Sequence, residues 1–137
     1  MSIVDPQDTT AVADIRAALP DVQAIYRFGS SATGTSGPES DIDLAVLAPR
    51  PLDTTARCDL QERLAAALRR SVDLIDLRSV STVMAMQVVS GGLLLHEGDA
   101  VARGAFEDRC YSGYARLNEE RRGILERVAA EGSVYGG

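Results

Sequence analysis

Residues 41–47, Asp-Ile-Asp-Leu-Ala-Val-Leu, constrain this chain more than any other stretch. The run is rich in branched apolar residues and reads as a strand. Strand alternation then sets Asp41 and Asp43 on one face, with Ile42, Leu44 and Val46 on the other. One face can join a core while the other presents two carboxylates side by side. Such a pair repels itself on a rigid strand and becomes intelligible around a divalent cation, for which hard oxygen ligands suit Mg²⁺. Taken alone the pair decides little, because solvated acids also decorate exposed strands.

The residues upstream add the second half of a site. Ile25, Tyr26 and Phe28 read as a short strand that runs into Gly29-Ser30. Gly29 permits a tight turn and close approach to the backbone. Ser30, Ser31 and Ala32 can open a short helix whose free N–H groups point back at the turn, a geometry that suits phosphate. Ser30 is equally an ordinary helix N-cap, and both roles can hold at once. A polar loop from Gly34 to Ser40 leads back to the acids. There is no lysine in the chain, which excludes a Walker A loop and leaves phosphate to amides, metal or arginine. A phosphate cradle beside a Mg²⁺ pair describes a site for nucleoside triphosphate chemistry. Residues 71–77, Ser-Val-Asp-Leu-Ile-Asp-Leu, offer a third carboxylate at Asp73 or Asp76. Their opposite parity allows only one of them to share the face of the pair.

Gly29-Ser30, ten residues, then Asp41-Ile42-Asp43 resembles the signature of the DNA polymerase β-type nucleotidyltransferases. The small size is similar to the minimal nucleotidyltransferase (MNT) branch, and within it to the MntA-type adenylyltransferase antitoxins that accompany HEPN-domain toxins. That resemblance implies a polymerase β-like fold, a small mixed sheet with a long C-terminal helix. It implies ATP as substrate, Mg²⁺ held by Asp41, Asp43 and a third acid, and nucleotide binding at Gly29, Ser30 and Ser31. The family's third acid falls near the start of its strand, which maps to Asp73 and leaves Asp76 as a strand-end residue that helps cap the next helix. Ser31 and Thr33 stand where many members carry a basic residue, so Arg27 or another arginine would have to supply positive charge. The implied reaction is AMP transfer to a tyrosine hydroxyl of a HEPN ribonuclease toxin, in a complex of the two chains. Docking without chemistry, or adenylylation of a small molecule, are the alternatives.

The rest of the chain is consistent with one modest domain over its 137 residues. A net charge of −6 speaks against a non-specific nucleic-acid binder, which needs a basic face. Cys58 and Cys110 form no metal or redox motif and read as reduced thiols. No basic-then-apolar leader opens the sequence and no run reaches membrane-spanning length, so a cytoplasmic protein is expected. In chain order, residues 1–7 read as loose, and Asp8 or Thr9 caps a helix carrying Val12, Ile15 and Leu19. Asp53 caps a helix to about Arg70 with Leu60, Leu64 and Leu68 as its stripe. Ser79 or Ser81 starts a helix holding Val83, Met84, Val88 and Val89, which Gly91-Gly92 stops. Leu93-Leu94-Leu95 is a short last strand. Ala100 to about Glu131 is one long helix with Phe106, Cys110, Tyr114, Leu117, Ile124 and Val128 on its apolar side, and 132–137 is a flexible tail. The expected whole is an α/β sheet covered by helices mainly on one face, with the carboxylates open to substrate.

Overall fold

The computed structural model describes residues 5–29 and 41–135, with side chains as far as 129. Its elements are α1 (Pro6–Ala18), β1 (Ala24–Phe28), β2 (Ile42–Leu47), α2 (Thr54–Leu68), β3 (Val72–Asp76), α3 (Thr82–Gly91), β4 (Leu93–Glu97) and α4 (Ala100–Tyr135). The four strands form one mixed sheet in the order β3-β2-β1-β4. β1 runs antiparallel to both β2 and β4, while β2 and β3 are parallel.

Alternation along the strands divides the core in two. Ile25, Ile42, Leu44, Val46, Val72 and Leu74 pack against Ala11 and Ile15 of α1 and Leu60, Leu64 and Leu68 of α2. Ala24, Tyr26, Ala45 and Leu47 face the other way, onto Ala85 and Val88 of α3 and Phe106 and Cys110 of α4. Helices therefore cover both faces over the half of the sheet holding Ala45 and Leu47. Among the described residues, the cover is one-sided only at the level of Asp41, Asp43 and Asp73. The cause lies in composition: residues of carboxylate parity are acidic at the start of β2 and apolar towards its end.

Local chemistry sets the helix ends, sometimes differently from the sequence expectation. α1 is capped by Asp5, whose carboxylate accepts the Gln7 N–H at 2.9 Å, with Pro6 at the first helical position. Proline there has no N–H to lose and its φ is already helical. The expected cap Asp8 is instead buried in the first turn. Asp53 caps α2 as expected, accepting the Ala56 N–H at 3.2 Å. Of the two serines before α3 it is Ser81 that caps, accepting from Met84 N–H at 3.1 Å. Of the residues this helix holds, Val83 is exposed, while Ala85 with Val88 makes the buried contact.

α4 spans 36 residues, or about 54 Å at 1.5 Å per residue. The five- and six-residue strands beneath it reach roughly 17–20 Å. Phe106 and Cys110 are buried, but further along Leu117 is 43% exposed, Ile124 51% and Val128 58%. The expected apolar stripe is therefore covered only where the helix has a sheet to lie on. Residues 132–135, expected as tail, continue the helix.

Candidate active site

β1 delivers the chain to Gly29, which takes φ +77°, a left-handed conformation that costs other residues energy. A Cβ at this position would run into the Asp43 carboxylate. Gly29 thus gives both the bend and the space that the acid occupies. The register accounts for the closeness, because Phe28 stands opposite Asp43 across the β1–β2 ladder. On its other side Asp43 stands directly opposite Asp73 of β3. Asp41 lies two residues before Asp43 on the same parity.

Three acids and one bend thus meet at one end of the sheet. Asp41 and Asp73 are exposed and Asp43 is half-buried. Burial, then the charge of Asp73, then that of Asp41, push the Asp43 carboxyl above its ordinary range. Among the described residues no three His, Cys, Asp or Glu side chains are drawn together closely enough to hold a metal ion by themselves. The donor set at this end of the sheet, three carboxylates, is of the hard-oxygen kind that Mg²⁺ takes.

Asp76 is settled by its own contacts. It shares the parity of Val72 and Leu74, is 2% exposed, and faces away from the acid cluster. Its carboxylate accepts the Leu52 N–H at 2.7 Å, the Arg78 N–H at 3.0 Å and the Ser79 hydroxyl at 2.9 Å. It ties the end of β3 to the segment before α2. Asp73, not Asp76, joins the pair.

Other sequence candidates fall elsewhere. Ser30 and Ser31, with the short helix expected after Gly29, lie outside the described residues. Arg27 has the parity of Leu44 and lies 8% exposed on the α1 side of the sheet. Its guanidinium pairs there with Asp8 at 2.8 Å and Asp5 at 3.2 Å. His96 sits opposite Ile25 on β4, and burial followed by the nearby Arg16 charge lowers its pKa. Cys58 and Cys110 are free thiols. One network was missed by sequence reasoning. The Tyr26 phenol donates to Glu107 at 2.6 Å, and Arg103 bridges Glu107 at 2.6 Å and Glu97 at 2.5 Å. It pins the root of α4 to β1 and β4, and burial with that carboxylate drives the Tyr26 pKa well upward. Its only sequence signal was the Arg103–Glu107 spacing of four.

Residues 11–100 match the family model described as Polymerase beta, Nucleotidyltransferase, a span that includes Gly29 and all three acids. The chain belongs to the polymerase β-type nucleotidyltransferases. Within this nucleotidyltransferase family it is 45% identical over 116 residues to the protein adenylyltransferase MntA of Shewanella oneidensis, covering 85% of this chain and 83% of that protein. A crystal structure of a toxin–antitoxin with AMP-PNP contains a chain that superposes with TM-score 0.79 at 42% identity, covering 89% of this chain and 98% of the other. The structure of a tri-AMPylated Shewanella oneidensis HEPN toxin in complex with MNT antitoxin gives TM-score 0.74 at 39% identity, over 90% and 96% of the two chains.

Proposed function

We propose that this nucleotidyltransferase transfers AMP from ATP to a tyrosine hydroxyl of a cognate HEPN ribonuclease toxin and thereby acts as its antitoxin. The observation that carries the reading is the apposition of Asp43 and Asp73 beside the Gly29 bend. Likeness to a protein adenylyltransferase and to chains from toxin–antitoxin structures supports the acceptor.

Asp41, Asp43 and Asp73 would hold Mg²⁺, which when bound supplies charge neutralisation on the triphosphate and acidifies the attacking hydroxyl. The remaining work falls to the chain. Gly29, with Ser30 and Ser31 after it, offers backbone amides to the triphosphate, and the missing side chain at 29 lets phosphate oxygens approach. The acceptor oxygen attacks the α-phosphorus, the bond to the bridging oxygen breaks, and pyrophosphate leaves. Asp73, exposed at the rim of the cluster, accepts the hydroxyl proton. The raised pKa of Asp43 makes the site sensitive to acid, since a protonated Asp43 is a poor cation ligand. Position and electrostatics do most of the work in such a reaction.

Beyond the sheet, Leu117, Ile124, Leu125 and Val128 stand exposed along α4. Leu117, Ile124 and Leu125, with Val83 and Tyr114, edge a groove of about 560 Å³ that none of the three acids lines. This apolar surface suits contact with a partner chain.

The test is incubation with ATP, Mg²⁺ and the HEPN partner, followed by intact-mass measurement of the partner. Whole AMP increments that disappear in Asp41→Asn/Asp43→Asn support the reading. A partner that is inhibited yet unmodified means neutralisation by binding alone. Turnover with a soluble acceptor and no stable complex means small-molecule adenylylation.

A further inference from the structure

β3 lies at the margin of the sheet and, among the described residues, has a strand neighbour on one side only. The N–H of Ile42 donates to the Ser71 carbonyl at 2.9 Å, and the N–H of Leu77 donates to Val46 at 3.0 Å. Odd-numbered residues of this strand therefore turn their main-chain groups towards β2, and Leu74 turns both of its own outward. An outward N–H and C=O on an edge strand ordinarily go to water or to another strand. Here two half-buried side chains of α2 take them. Gln61 Oε1 accepts the Leu74 N–H at 2.8 Å, and Arg57 Nη1 donates to the Leu74 carbonyl at 3.0 Å.

The placement of those two bonds matters more than their number. The Leu74 N–H belongs to the peptide plane that joins Leu74 to Asp73, so the bond to Gln61 restrains the torsion that aims Asp73. The Leu74 side chain is fully buried among Leu60 and Leu64 of the same helix. Leu74 is thus held by side chain, N–H and C=O together, next to a residue whose carboxylate stands opposite another. Like charges in that position push strands apart, and an edge strand has a single ladder with which to resist.

We propose that Arg57 and Gln61 are positioning residues for AMP transfer, acting through the Leu74 main chain to hold Asp73 at its station opposite Asp43. This rests on the role given to Asp73 above. Neither residue touches the acids; each works from the opposite side of the strand.

The experiment compares Gln61→Leu, which removes the acceptor, with Gln61→Glu, which keeps it. Two readouts are taken: amide hydrogen exchange of Leu74 in the ligand-free protein, and AMP transfer to the HEPN partner as a function of Mg²⁺ concentration. Gln61→Leu should exchange the Leu74 amide faster and need about 10- to 100-fold more Mg²⁺ for half-maximal transfer, as loss of a group that orients a metal ligand does. Gln61→Glu should bring both back towards wild type. A folded Gln61→Leu protein with faster exchange but an unchanged Mg²⁺ curve overturns the proposal, as does Gln61→Glu being equally impaired. Should Gln61→Leu fail to fold, Arg57→Lys against Arg57→Met makes the same comparison at the carbonyl. Asp73→Asn distinguishes the positioning role from the assignment beneath it. If it transfers AMP like wild type, the assignment of Asp73 itself falls; if it is inactive while the Gln61 curves coincide, only the positioning role falls.

Discussion

Replacing Asp43 by asparagine removes the middle charge of three while keeping the volume of the side chain, and so separates what the acid does for folding from what it does for chemistry. Asp43 faces Asp73 across one ladder and has Asp41 on the same face of its own strand. Each like-charged neighbour at such a position destabilises by a few tenths to one kcal/mol, so neutralising Asp43 should stabilise the fold by about 0.5–1.5 kcal/mol. For a chain of this length that is roughly 2–6 °C in Tm. The gain must depend on pH in a definite direction. The folded protein holds the Asp43 proton more tightly than the unfolded chain does, so this group disfavours the fold least below the ordinary carboxylate range. The penalty develops as pH rises from there through the raised folded-state pKa. Thermal unfolding of wild type and Asp43→Asn, in EDTA at pH 4 and pH 7.5, should show the variant ahead at the higher pH and the two converging at the lower. AMP transfer by the variant should be lost throughout. A variant melting at or below wild type at pH 7.5, or ahead by the same margin at both pH values, would refute the claim that the acids strain one another.

Further substitutions address the frame around the site. Gly29→Ala must adopt a left-handed conformation and displace the Asp43 carboxylate, so it should lose about 1–2 kcal/mol in urea unfolding together with most AMP transfer; full activity would show that the bend and the acid are not in contact. Asp76→Ala strips acceptors from two main-chain N–H groups and should cost about 2–4 kcal/mol, whereas Asp76→Asn keeps part of the cap and should keep transfer if stability allows. Arg27→Ala leaves the buried Asp8 without its partner and should destabilise by about 3–5 kcal/mol. Pairing it with Asp8→Ala should recover part of that loss, and a purely additive double mutant would argue against the ion pair.

Much of this architecture is legible because the strands alternate. Asp41 and Asp43 have to share a face once Ile42, Leu44 and Val46 are assigned to the core, and Gly29 stands where only a bend makes sense. The partner of the pair is not legible from β3 alone. Asp73 and Asp76 have opposite parity, and the choice depends on which face meets α2, a tertiary fact. Arg27 is obscure for a similar reason: Ile25, Tyr26 and Phe28 are apolar on both parities, so nothing local shows that Arg27 points towards α1. Asp5-Pro6 reads as an irregular leader until its carboxylate is seen on the Gln7 N–H. The far half of α4 has a helical period without a cover, and period alone cannot tell a buried stripe from an exposed one.

The shared space at Gly29 and Asp43 also limits how this protein can change over generations. A side chain at position 29 requires retreat at position 43, yet no smaller residue than aspartate carries a carboxylate. Drift at either position alone is therefore blocked, and drift at both erases the acid. Variation in a lineage that keeps its chemistry should collect around this pair and never within it.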